Sequence, residues 1–152
     1  LDSGVEIRHQ TGPGDLERVR AGYSAHGFDS SGVTPFIEDV AGAYAWADLV
    51  LCRAGATSVA ELAVAGKPAV LIPFPHATHD HQTCNAQVMA DLGAALLVPE
   101  NTIGQRDVGG LLIELLRDPA RLKDMAGQAR SCARPDAAAR GAREIQALCF
   151  KA

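Results

Sequence analysis

The sequence predicts an α/β domain built on a doubly wound parallel sheet. Between residues 5 and 98, short apolar runs alternate with longer segments that carry apolar residues at helical spacing. Strands of a parallel sheet are buried on both faces, so they read as continuous apolar runs. Their alternation with helices favours a sheet that helices cover on both faces.

The elements follow one another in a regular order. The predicted strands are residues 5–9, 32–37, 48–53, 69–73 and 94–98. The predicted helices between them are residues 15–26, a helix through Tyr44 and Trp46 that places both in the core, residues 57–65 and residues 81–92. Gly66-Lys67-Pro68 ends the third of these, because glycine supplies a left-handed cap and proline cannot continue the turn. Three further helices are predicted at 108–117, 119–131 and 136–150.

Length and charge narrow the classes of function. A chain of 152 residues holds one domain with a hydrophobic core and is short for two. Its 14 basic and 18 acidic residues give a net charge of −4, which attracts no phosphate backbone, so nucleic acid is not an expected partner. No apolar run approaches the ~20 residues of a membrane span, so we expect a soluble protein.

The four cysteines favour a reducing compartment. Cys52, Cys84, Cys132 and Cys149 show neither CxxC pairing nor metal-ligand spacing. We therefore expect buried, reduced thiols in a cytosolic protein.

The turn that follows the third predicted strand is the strongest candidate site. Residues 53–58 are almost all small and lead directly into a helix. The first amides of a helix have no partners within it and its dipole favours an anion, so this turn fits a diphosphate. An alternative is plain capping, because Ser58 and Glu61 match a capping box. Glu61 could instead accept hydrogen bonds from a ribose.

Two more loops lie at the carboxyl ends of predicted strands, where ligands bind in such sheets. Phe36 and Ile37 could hold a nucleobase, although core packing is the default for such residues. His76, His79, Asp80 and His81 resemble a metal site, but Thr78 interrupts the pattern and no later histidine follows. We expect no metal there, and favour a loop whose His81 and Gln82 hydrogen-bond a neutral, hydroxyl-rich ligand.

Several motifs in matching order cover nearly the whole chain. They are residues 9–12, 33–39, 43–53, 55–61, 66–68 and 73–76, followed by Asp80-His81-Gln82 and Asn85-Ala86. Together they closely resemble the MurG family. Members of that family are bacterial transferases that move N-acetylglucosamine from its UDP derivative onto the lipid-linked muramoyl-pentapeptide precursor of peptidoglycan.

The resemblance implies a fold and a set of donor contacts. It implies that residues 1–152 are part of the Rossmann-like C-terminal, donor-binding half of a GT-B fold, without the N-terminal acceptor domain. Ile37 would read the uracil edge through its backbone beside Phe36, and Glu61 would bind the ribose. His81, where family members often carry glutamine, and Gln82 would face the sugar. The implied donor-binding residues are Phe36, Ile37, Arg53, Gly55, Ala56, Thr57, Ser58, Val59, Ala60, Glu61, His81 and Gln82.

The resemblance also implies an inverting transfer that needs no metal or other cofactor. Its base would lie in the N-terminal domain, so no catalytic residue is expected in this chain and the isolated chain is expected to be inactive. The first strand of the family's sheet is also expected to be missing, between the strands at 5–9 and 48–53. The chain would then either close this gap itself or borrow a strand from a partner, which includes self-association through the incomplete sheet. The full-length enzyme is expected at the cytoplasmic face of the bacterial inner membrane.

Overall fold

A computed structural model describes residues 4–77 and 80–149. The chain divides into two compact units, residues 1–46 and residues 47–152, where the sequence predicted one domain. Each unit carries its own parallel sheet. None of the helices in the described ranges combines the length and the apolar composition needed to cross a membrane.

The first unit is a β-α-β-α segment. Its elements are β1 (His9–Gln10), α1 (Leu16–Ala25), β2 (Val33–Thr34) and α2 (Val40–Trp46). The two strands are parallel, with His9 opposite Val33 and Gln10 opposite Thr34. Both strands are shorter than predicted. The prediction that Trp46 lies in the core is wrong: its ring is exposed and stacks under the guanidinium of Arg8, 4.3 Å from the ring centre.

The second unit holds a three-stranded parallel sheet in the order β3-β4-β5. Its strands and the helices that follow each of them are β3 (Val50–Cys52), α3 (Ala56–Ala65), β4 (Ala69–Leu71), α4 (His81–Asp91) and β5 (Ala95–Leu97). A 3-10 helix at Glu100–Thr102, which the sequence did not predict, leads to α5 (Val108–Leu116), α6 (Pro119–Cys132) and α7 (Ala137–Cys149). Phe150, the predicted end of the last helix, lies outside the described residues.

The core of the second unit forms around its central strand. All three residues of β4 are fully buried, as a strand with neighbours on both sides and helices on both faces requires. Val70 packs in one cluster with Val98, Leu115 and Met125, so α5 and α6 cover one face of the sheet.

The predicted end of α3 is confirmed. Gly66 is its C-cap with φ 62° and ψ 46°, the left-handed conformation that glycine adopts without steric cost. The Gly66 amide donates to the carbonyl of Ala63, and the Lys67 amide to that of Leu62. A methyl group at Gly66 would meet the side chain of Arg130, so this close approach also requires glycine.

The α/β class with parallel sheets is confirmed. Five strands occur in the described ranges, divided between two sheets. The expected absence of the family's first strand stays a prediction. No pairing joins β1 to β3 among the described residues. β3 is therefore an edge strand of its sheet.

Candidate functional site

The turn between β3 and α3 shows that the capping-box interpretation is wrong. Gly55 is the N-cap in an extended conformation, φ −62° and ψ 149°, and no side chain caps it. The helix begins at Ala56, so Ser58 is its third residue and cannot act as the N-cap. Glu61 consequently lies in the second turn, beyond reach of the orphan amides that a capping box serves.

The amino end of α3 is open to solvent, and a hydrogen bond from α4 holds the residue just before the turn. Ala56 and Thr57 are exposed, whereas Ala54, just before the turn, is fully buried. The side-chain amide of Asn85 on α4 donates to the carbonyl of Ala54 at 3.1 Å. The amides of the first helical turn have no intrahelical acceptors, and the helix dipole adds positive potential there. The turn is thus accessible to solvent, and its amides and dipole suit an anion.

Glu61 is exposed on α3, and its charge reaches back toward the end of β3. Burial raises the pKa of the Cys52 thiol to about 11, and the negative charge of Glu61 contributes to the same shift. The Cys52 thiol is therefore within electrostatic range of the Glu61 carboxylate.

The reactivity of the thiols tests this electrostatic arrangement. At pH 8, iodoacetamide is expected to alkylate exposed Cys84 and to leave Cys52 almost unmodified, because the thiolate is the nucleophile. Glu61→Gln should lower the pKa of Cys52 but leave it above the ordinary value for a thiol, since burial remains. Mass spectrometry of alkylation rates against pH reads both thiols in one sample, with Cys84 as internal control. Equal rates for the two thiols would contradict the arrangement.

The cysteine prediction is only partly right. The described residues contain no disulfide partner for the four thiols, which are all free. Cys52 and Cys132 are half-buried, but Cys84 and Cys149 are exposed, against the expectation that all are buried. α4 and α7 turn these two side chains to solvent, a property that local apolar composition does not determine.

The loop after β4 positions Gln82 through its backbone. The amide of Phe74 donates to Oε1 of Gln82 at 3.0 Å, so the side-chain NH₂ is the donor that Gln82 offers a ligand. Asp80 precedes α4 with φ 54°, and its carboxylate accepts from the Thr83 hydroxyl. His81, the first residue of α4, is exposed.

Arg53 follows β3 and reaches across the strand ends. Its Nη1 donates to the carbonyls of Pro73 at 3.2 Å and Ile72 at 3.4 Å, and pairs with Glu100 at 2.5 Å. The hydrogen bond from Arg53, with the charges of Arg53 and His76, lowers the pKa of the Glu100 carboxyl against a smaller effect of burial. Arg53, which the resemblance implies as a residue that binds the sugar nucleotide, thus already has other partners within the chain.

In the first unit, Phe36 does not pack in a core. Its side chain is 59% exposed, which excludes the default interpretation of that residue. The backbone amide of Ile37 donates to Oε1 of Gln10 at 3.0 Å. A nucleobase that accepted from this amide would take the place of the Gln10 oxygen.

No group of three metal-ligating side chains occurs in the ranges that the structure describes. His79 and Thr78, which belong to the alternative metal pattern, lie outside those ranges.

Three contacts join the candidate site without having been predicted. Gln10 and Asn85 stand inside the quoted motifs, but nothing in their spacing indicated a hydrogen bond to Ile37 or to Ala54. Glu100 is 47 residues from Arg53 in the sequence. Only the parallel order β3-β4-β5 brings these two strand ends to one edge.

Comparison with known proteins was consistent at every level. The family described as "Glycosyltransferase family 28 C-terminal domain" matches residues 2–141. A protein of Nitratidesulfovibrio vulgaris (strain DP4), named UDP-N-acetylglucosamine--N-acetylmuramyl-(pentapeptide) pyrophosphoryl-undecaprenol N-acetylglucosamine transferase, is 61% identical over 138 residues, 91% of this chain and 38% of that protein. The Lawsonia intracellularis protein of the same name is 55% identical over 93% of this chain and 39% of its own length.

A solved structure shares the fold. The crystal structure of Acinetobacter baumannii MurG matches with a TM-score of 0.80 and 39% identity, over 95% of this chain and 43% of that chain. This confirms the Rossmann-like class and the resemblance drawn from the motifs. The chain spans less than half the length of each of these relatives.

Proposed function

Because the chain belongs to the glycosyltransferase family 28 C-terminal domains, we propose that it supplies the donor site of an N-acetylglucosaminyltransferase. The donor is UDP-N-acetylglucosamine, which the names of the curated relatives contain. The observation that carries the proposal is the accessible start of α3. Its N-cap, Gly55, offers no side chain to the three backbone amides that follow it. Those amides fit a diphosphate without a lysine.

The second unit offers contacts to the diphosphate, the ribose and the sugar. The amides of Ala56, Thr57 and Ser58 bind the diphosphate, and the carboxylate of Glu61 accepts from the ribose hydroxyls. The NH₂ group of Gln82, oriented by Phe74, donates to the sugar. His81, beside it, also faces the sugar.

The base is held by the first unit. The aromatic ring of Phe36 is available for a flat base because it is exposed. The amide of Ile37 donates to a base carbonyl once the base displaces Gln10 Oε1. The exchange keeps one hydrogen bond on that amide, so binding of the base leaves the Ile37 donor paired.

The reaction is a direct displacement. The acceptor hydroxyl attacks the anomeric carbon, the bond from that carbon to the diphosphate oxygen breaks, and UDP leaves with the bonding electrons. The developing negative charge falls on the diphosphate at the start of α3, where preorganised amides stabilise it. The proton of the hydroxyl passes to a base on the acceptor domain, which this sequence does not include.

The proposal extends to the longer enzyme. Residues 1–152 form part of the C-terminal donor domain, and an N-terminal domain supplies the lipid-linked muramoyl-pentapeptide acceptor. The isolated chain does not turn over. The full-length enzyme acts at the cytoplasmic face of the bacterial inner membrane, where it serves peptidoglycan synthesis.

Titration with a set of sugar nucleotides tests the donor. Calorimetry of the chain is expected to show saturable binding of UDP-N-acetylglucosamine that is tighter than binding of UDP-glucose or UDP-galactose. Tighter binding of another UDP sugar would reassign the donor within the same fold. Binding without any transfer, even with the acceptor half of a relative added in trans, would instead indicate a non-catalytic binding module.

We further propose that the chain self-associates through β3. Val50 and Cys52 pair with β4 through their backbone groups, so the amide and carbonyl of Leu51 point to the opposite edge. The Leu51 side chain is 47% exposed. Exposed, apolar edges pair readily with other strands.

Leu51→Lys is expected to abolish this association, because a charge on an edge strand opposes pairing. Sedimentation equilibrium should show a concentration-dependent dimer for the original chain and a monomer for the variant. Val64→Lys, at a more exposed apolar position on α3 away from the edge, serves as the control and should still dimerise. A wild-type chain that stays monomeric at all concentrations would contradict the proposal.

A further inference from the structure

We propose that Arg53 and Glu100 act together as a positioning pair that fixes the sugar-binding loop, and that Arg53 is not itself a ligand of the donor. The inference rests on the proposed function and assigns a role to Glu100, which no motif singled out. It depends on a continuous series of contacts at the carboxyl ends of three adjacent strands.

The Arg53 side chain extends across the ends of the three strands. The residue follows β3, yet its guanidinium contacts the carbonyls of Ile72 and Pro73 after β4 and the carboxylate of Glu100 after β5. One planar group thus joins all three strand ends of the sheet. Arginine suits such a position because its guanidinium offers several donors in a fixed plane, which lysine does not.

Arg53 also contacts the loop after β4. The guanidinium carbon lies 5.6 Å from the centre of the Phe74 ring, and Nη1 holds the carbonyl of the residue before it. The ring and the backbone of Phe74 are therefore both held by Arg53. His76 adds an edge contact to the same ring, 5.7 Å between centroids.

The loop in turn orients Gln82, which is proposed to contact the sugar. The amide of Phe74 donates to Oε1 of Gln82, and this bond decides which end of the Gln82 carboxamide is presented to the sugar. A shift of Phe74 would release Oε1 and let the carboxamide turn. Glu100 thus acts on the sugar contact through Arg53, Phe74 and Gln82.

Glu100 also explains why Arg53 does not go to the diphosphate. The carboxylate already neutralises the charge of the guanidinium, and the nitrogen that pairs with it, Nη1, also donates to the two carbonyls. The diphosphate is left to the backbone amides of α3. A role in positioning and a role as a diphosphate ligand make opposite predictions for the loss of Glu100.

The test compares Glu100→Gln, Arg53→Gln and the double variant. Calorimetry measures the affinities for UDP and for UDP-N-acetylglucosamine. The ratio of the second affinity to the first is the sugar factor, by which the sugar tightens binding. Each single variant is expected to reduce this factor by about two- to tenfold, the equivalent of one hydrogen bond, and to leave affinity for UDP nearly unchanged. The double variant should match the singles within about twofold, because the two residues act as one unit.

A measurement without ligand separates this inference from the proposed function. Amide hydrogen exchange at Phe74 should accelerate in both single variants, because the bond to Gln82 loses its support. Glu114→Gln removes a comparable surface ion pair, with Arg121 at 3.4 Å, and should change neither exchange at Phe74 nor the sugar factor.

Three results would overturn the inference. Weaker binding of UDP in Arg53→Gln, together with tighter binding in Glu100→Gln, would show that Arg53 is a diphosphate ligand restrained by Glu100. Unchanged exchange at Phe74 would show that the pair does not hold the loop. Accelerated exchange with an unchanged sugar factor would show that Gln82 does not depend on it. If the original chain binds no sugar nucleotide, the proposed function fails on its own, and hydrogen exchange still decides whether the pair holds the loop.

Discussion

Glu61→Ala is expected to weaken binding of UDP by about 1.5–3 kcal/mol, the typical contribution of a hydrogen bond to a charged group. The expectation follows from the position of Glu61 on α3, one turn beyond the amides proposed for the diphosphate. Since α3 begins at Ala56, the carboxylate does not cap the helix. The loss should therefore appear in affinity, and calorimetry of the two proteins with UDP measures it.

A ligand that lacks the ribose contact supplies the control. With 2′-deoxy-UDP, the original chain and Glu61→Ala should bind with more similar affinities than with UDP, because the hydroxyl that Glu61 accepts from is gone. Glu61→Gln keeps the shape of the side chain and removes its charge. The affinity of this variant for UDP should fall between those of the original chain and of Glu61→Ala. Equal losses with UDP and with the deoxy ligand would show that Glu61 acts elsewhere than at the ribose.

Leu115→Ala is expected to destabilise the second unit by about 2–5 kcal/mol, the usual range for truncating a buried leucine. Leu115 is fully buried on α5 and belongs to the cluster with Val70, Val98 and Met125. The cavity would lie between the helices and the central strand, where close-packed neighbours relax only partly. Urea unfolding followed by circular dichroism gives the difference in the free energy of unfolding.

Leu148→Ala is the matched control, because it makes the same substitution on α7 at a side chain that is 74% exposed. Its effect should stay within about 0.5 kcal/mol, as for most surface positions. A similar loss of stability in both variants would mean that Leu148 is covered in solution. A small loss at Leu115 would contradict the packing of α5 against β4.

Predictions from sequence were accurate where short-range chemistry determines structure. The left-handed cap at Gly66 follows from glycine before Lys67-Pro68, and the buried strand β4 follows from its apolar run. The order of strands and helices was also confirmed. These features depend on a few neighbouring residues, so the local sequence carries enough information.

Predictions failed where the outcome depends on contacts that are remote in sequence or on backbone geometry. Ser58 and Glu61 match a capping box, but the N-cap is Gly55, three residues before Ser58, in an extended conformation and without a side-chain cap. Trp46 fits an apolar helix face, yet it is exposed under Arg8.

The candidate site shows the same division. The roles given to Ile37, Glu61 and Gln82 came from the resemblance and stay predictions, while the structure adds the hydrogen bonds that orient two of them. The pairing of Arg53 with Glu100 joins residues that follow two different strands, β3 and β5, with β4 between them. No spacing rule indicates such a contact.

The most direct measurement of the central claim is amide NMR mapping of the chain during titration with UDP-N-acetylglucosamine. The account predicts that the largest shifts occur at the amides of Ala56, Thr57 and Ser58 and at that of Ile37, which exchanges Gln10 for a base carbonyl. Saturable binding whose shifts fall elsewhere, with these four amides unchanged, would contradict the proposed donor site.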